Sequence, residues 1–145
     1  MDAQVVLLDS FNTTNAGILI VGHEEDPYFG MTKSTAYTRL HIEQGTERPG
    51  PLAVLDSTFF TLATVSVNGA ELDEEKKYSV HLLDEPLLDT LYYNFSKLSY
   101  QPTPFASVEV AFKDTKDTLL KAPINPTFAD EIFGKLVRGL EFNNL

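Results

Sequence analysis

Apolar and polar positions alternate with a period of two along several short stretches, and recur at helical spacing near the end of the chain. In STFFTLATVSV, residues 57–67, Phe59, Thr61, Ala63, Val65 and Val67 point one way, and Phe60, Leu62, Thr64 and Ser66 point the other. KKYSVHLL, residues 76–83, sets Tyr78, Val80 and Leu82 against Ser79 and His81. FASVEVAF, residues 105–112, sets Ala106, Val108, Val110 and Phe112 against Phe105, Ser107, Glu109 and Ala111. All three predict strands with one aliphatic or aromatic face and one face of Ser, Thr, His and Glu, as in an antiparallel sheet covered on one side. Asn68-Gly69, between the first two, is a turn signal because both residues tolerate positive φ. QVVLLDS (4–10) and AGILIVGH (16–23), joined by the turn-forming FNTTN, predict an N-terminal hairpin. HEEDPYFGM then breaks the pattern with Pro27 and Gly30, and TAYTRLHIE (35–43) predicts a third strand. GTERPGPL reads as a loop, because its glycines and prolines punctuate the chain.

The period changes in INPTFADEIFGKLVRGLEF, residues 124–142. Phe128, Ile132, Phe133, Leu136, Val137 and Leu140 form a wide helical stripe, the packing face that would cover the sheet. Thr127 and Asp130 fit a capping box, acids are expected in the first turn, and Lys135 and Arg138 stand nearer the end, as the helix dipole favours. Gly134 and Gly139 each weaken such a helix by about 1 kcal/mol relative to Ala, so packing must hold it. DEPLLDTLYYNFSKLSY, residues 84–100, also spaces Leu87, Leu88, Leu91, Tyr92, Phe95 and Leu98 helically. With Asp84 as cap and Pro86 in the first turn, it predicts a helix or helical loop. The expected fold class is α+β in a single domain over 1–145. An antiparallel sheet of about six strands with an N-terminal hairpin is covered on one face by the C-terminal helix.

Composition narrows the function classes. No apolar run approaches the roughly 18 residues of a membrane helix, and MDAQVVLLDS has no basic stretch ahead of its apolar run, so neither a membrane partner nor a secretory signal is expected. The chain has no cysteine, which removes disulfides, thiolate metal sites and cysteine nucleophiles. Its formal charge is −10, from 21 acidic and 11 basic residues, without a basic run; such a surface repels nucleic acid. His23, His41 and His81 fall on three different predicted strands or strand ends. In HEED only His23 and Glu25 share a face, so the segment reads as a solvated strand end rather than a metal site. There is no Ser elbow and no phosphate-cradling glycine loop. The expectation is a protein that is not an enzyme and needs no cofactor; an enzyme using His23, Glu25 and His81 is the weakest rival.

The order of elements resembles the coat proteins of the single-stranded RNA bacteriophages. TVSV (64–67), KKYSVHL (76–82) and FASVEVAF (105–112) stand where that family has its strand motifs, and the C-terminal helix follows at a similar interval. The resemblance implies two interlocked chains whose sheets join into one, with each chain's helix packed over its partner. It also implies an opposite face that looks into the particle and holds RNA. Carried over, that face is Thr64, Ser66, Asn68, Ser79, His81, Phe105 and Ser107, with Leu62 beside them. The family places cations where Leu62, Asn68 and His81 stand, and it has an extended loop where 84–100 is spaced as a helix. The expectation is therefore a self-assembling virion protein, a phage capsid coat subunit made in the host cytoplasm, whose partner is itself. Genomic RNA is a partner weakened by the charge. A head-decoration or connector protein, or a small acidic protein-binding module, is the alternative.

Overall fold

The structure is a computed structural model that describes residues 9–28, 30–41, 45–113 and 119–139. It is α+β, with antiparallel strands and one C-terminal helix. The described strands are β1 (Gly22–Asp26), β2 (Gly30–Ser34), β3 (Phe59–Ala63), β4 (Lys76–Val80), β5 (Ala106–Val110) and β6 (Leu119–Pro123); the helix is α1 (Pro126–Arg138). They form three two-stranded pairs, β1 with β2, β3 with β6 and β4 with β5, rather than one continuous sheet. The chain divides into two compact units, one of Met1–Thr38 and Leu83–Ser99, the other of Arg39–Leu82 and Tyr100–Leu145.

The second unit holds the core. β5 and β6 are linked by an isolated bridge between Ala106 and Ile124, which joins the β4–β5 and β3–β6 ribbons. Phe105, Ala106 and Ala122 are buried at that junction, with Phe60, Val80, Leu82, Val108, Ile124, Phe128 and Ile132 packed around them. Phe105 meets Phe60 edge-on at 6.2 Å and Phe128 at 5.9 Å, geometries that suit the aromatic quadrupole. The alanines let strands and helix approach closely. The expected helical cover is present: Phe128 and Ile132 dock on the core, and Phe133, Leu136 and Val137 are half-buried. Leu140 lies outside the described residues.

Several expectations are corrected. β3 does not pair with β4, so Asn68-Gly69 is no hairpin turn; β3 pairs with β6, a strand that the alternation did not reveal. Pro123 fits there because Ile124 N–H donates to Thr58 O at 3.2 Å, which makes Phe59–Pro123 a pair that needs no hydrogen bond. Phe60 and Leu62 share the face directed at the core, while Phe59 on the opposite face is half exposed. The helix cap is Asn125, whose side chain accepts from Thr127 N at 3.1 Å ahead of Pro126, rather than a Thr127–Asp130 box. No acid stands in the first turn, whereas Lys135 and Arg138 do stand in the last.

In the first unit the Pro27 and Gly30 break is itself the hairpin. β1 and β2 flank it, and Asp26 Oδ1 accepts from Tyr28 N at 2.7 Å in an Asx-type turn. The predicted strand 16–23 survives only at Gly22 and His23, and residues 35–41 form no strand. Residues 4–8 and 42–43 of the other predicted strands lie outside the described residues. Residues 84–99 are not helical, because their amides are engaged elsewhere. Asp84 N donates to Ser99 O, Leu88 N to the Tyr92 hydroxyl, Tyr92 N to Thr14 Oγ1, Asn94 N to Phe11 O and Leu98 N to the Tyr37 hydroxyl. Paired against Phe11–Thr14, the segment cannot also close i to i−4 bonds.

Two outcomes follow from this packing. Phe105→Ala empties the junction of both ribbons and α1, and is expected to cost about 3–5 kcal/mol in urea unfolding, with loss of the helical circular-dichroism signal. At the end of α1, Gly139 has φ +73, and a Cβ there would meet the end of the flexible Arg48 side chain. Gly139→Ala is expected to cost about 1–2 kcal/mol for the left-handed backbone alone. The exposed Arg48 side chain swings aside at little cost, so a thermal-melt comparison should show the same loss when Arg48→Ala is already present.

Candidate assembly surface

The residues that the resemblance placed on one polar face are not gathered on one face. Ser79 and Ser107 are register partners across β4–β5, and their face also carries the Lys77–Glu109 pair. Thr64, Ser66 and Asn68 lie beyond the end of β3, in the connector to β4. His81 follows β4, with Nδ1 2.9 Å from the Gln101 carbonyl and its ring 5.0 Å from that of Tyr100. Phe105 is corrected outright: it is a core residue, only 3% exposed. It precedes β5, so the strict alternation of a pleated strand does not govern its side chain, and the neighbouring Ala106 is buried too.

This polar face suits phosphate poorly. Across β4–β5 it offers one cation, one anion and two hydroxyls. Nucleic-acid affinity comes mainly from cations on phosphates, and Lys77 stands opposite Glu109. His23 and Glu25 do share a face of β1, opposite Lys33 and Met31 on β2, all exposed. Among the described residues no three His, Asp or Glu side chains converge as metal ligands would.

What the surface does offer is apolar area that the chain leaves uncovered. Only Phe105, Ala106, Ala122 and Ala129 are buried among the described residues. The outer face of the β3–β6 ribbon presents Phe59, Ala63, Leu119 and Pro123 to solvent, with Thr61 and Lys121 between them. Beyond β3, Val65 is exposed as well. In the other unit Ile18–Val21, Leu88, Leu91 and Phe95 are exposed, and Tyr93 stacks flat on Phe95 with ring centres 5.6 Å apart. Uncovered apolar patches of this kind mark interaction surfaces. Phe59 and Ala63 lie on the side of β3 opposite Phe60, which packs on the core.

Comparison with known proteins gives no match: no family model, no curated protein and no solved structure is similar to this chain. Among the described residues no helix is long and apolar enough to cross a membrane.

Proposed function

We propose that the chain is a self-assembling structural protein of a virion, a phage capsid coat subunit made in the host cytoplasm, whose copies form interlocked dimers that build a shell. The observation that carries this reading is the imbalance, among the described residues, between four buried residues and the apolar residues left in solvent. Each large aliphatic or aromatic side chain moved from water into an interface contributes about 1.5–3 kcal/mol, so copies of the chain supply one another with the burial that each lacks. The β-ribbons, too small to stand as separate sheets, become parts of a larger sheet when the partner's strands and helix complete them. The non-helical course of 84–99 suits the extended loop of the coat-protein plan, whereas TVSV outside β3 and the pairing of β3 with β6 depart from it.

The absence of cations at Leu62, Asn68 and His81 favours a particular rival. With a net charge of −10 and a nearly neutral β4–β5 polar face, the chain is a better neighbour for other proteins than for RNA. A head-decoration or connector protein of the same virion accounts for that balance, and differs from the coat in forming small oligomers instead of closed shells.

Size-exclusion chromatography with light scattering, followed by negative-stain imaging, separates these. The coat reading expects closed shells; rings or small oligomers support the decoration or connector role; a single chain at every concentration contradicts both. Phe59→Asp places a charge on the exposed outer face of β3, and is expected to abolish assembly while changing the circular-dichroism spectrum little.

A further inference from the structure

We propose that Ile18–Val21 of one copy adds as a strand to the free edge of β3 in a second copy. The inference rests on the self-assembly reading and names the contact through which copies join.

The acceptor is defined by hydrogen-bond phase. Among the described residues β3 has one neighbour, β6. Since Ile124 N–H donates to Thr58 O across a directly opposed pair, Thr58, Phe60 and Leu62 direct their backbone groups at β6. Phe59, Thr61 and Ala63 therefore turn their N–H and C=O groups to the open side. Natural sheets blunt such edges with charges or prolines. β1 carries Glu24, Glu25 and Asp26, β2 carries Lys33, and β4 carries Lys76 and Lys77. β3 carries no charge, and neither does any residue from 57 to 70. Of the strand edges described, it is the one left without a guard.

The donor is defined by what it lacks. Ile18, Leu19, Ile20 and Val21 are 59%, 49%, 68% and 53% exposed. No residue of 16–21 makes a backbone hydrogen bond to a described residue. Three of the four are β-branched, the side chains that pack best on a pleated surface. Residues 10–22 are also free of charge. In a chain of net charge −10, two copies repel wherever acids face each other, and an uncharged donor against an uncharged edge avoids that repulsion.

Pairing each element with its own copy is a poorer solution. Two β3 edges joined about a twofold axis leave Ile18–Val21 unpaired in both chains. Two Ile18–Val21 segments joined to each other make an isolated two-stranded ribbon, which is marginal in water. Donor on acceptor satisfies both and extends the ribbon already anchored to the core. Every copy gives one strand and receives one: exchanged reciprocally about a twofold axis the contact closes the interlocked dimer, and passed head to tail it closes rings or continues outward.

The chain has no cysteine, so disulfide trapping is clean. Ile20→Cys chains are mixed with Thr61→Cys chains and oxidised; both positions are exposed, so neither change threatens the fold. The same experiment with Ile18 in place of Ile20, and with Phe59 or Ala63 in place of Thr61, covers registers shifted by two residues. The expected result is a mixed disulfide that dominates both homodisulfides in at least one pairing. Predominant Thr61→Cys or Ile20→Cys homodisulfides, or no cross-link in assemblies that light scattering shows to be intact, overturn the strand donation and leave self-assembly standing. An unmodified chain that scatters as a single copy at every concentration overturns self-assembly itself.

Discussion

Phe105 packs edge-on against Phe60 and tilted against Phe128, over a floor formed by Ala106 and Ala122. Through that contact the β3–β6 ribbon, the β4–β5 ribbon and α1 share one core. The backbone supports the same junction: Phe105 N–H donates to Val80 O at 2.7 Å, and Phe105 O accepts from Asn125 N at 2.8 Å. The residue just before β5 is thereby hydrogen-bonded to the end of β4 and to the cap of α1. Small side chains around one large ring allow this convergence, and they also limit how much apolar area the junction removes from water.

That limit shapes the rest of the molecule. A core of this size offsets little of the conformational entropy lost on ordering the chain, which amounts to roughly 1–2 kcal/mol per residue for the backbone. The outer face of β3–β6, the Ile18–Val21 segment and the stacked Tyr93 and Phe95 leave apolar side chains exposed. Charge decides where it can be covered. With 21 acids against 11 bases, contacts between copies are favourable only where acids are absent, and the uncharged stretches 10–22 and 57–70 contain two of the exposed apolar surfaces.

Local pattern made part of this legible. α1 carries a stripe at helical spacing, and the centres of β3, β4 and β5 alternate, so their positions followed from the residues alone. Pairing did not, because it depends on partners far along the chain. Asn68-Gly69 is a sound local turn signal, yet β3 finds β6 some sixty residues away. β6 is five residues ending in proline, with no alternation to mark it. β1 is GHEED, too acidic to read as a strand until the Asp26–Gly30 turn folds it onto β2. The leucines and aromatics of 84–100 have helical spacing, but Thr13, Thr14 and Phe11 capture that segment's backbone. Of the candidate site, Ser79 and Ser107 were rightly placed on one face, while Phe105 was assigned to the surface by an alternation that stops one residue short of it.

On the proposed reading a single copy buries too little, and association supplies the remainder. Urea unfolding at protein concentrations spanning about a hundredfold tests it directly, because a partner that binds only the folded state makes apparent stability depend on concentration. The account predicts an unfolding midpoint that rises steadily with concentration. A midpoint that stays fixed, with full cooperativity in the most dilute sample, would contradict it.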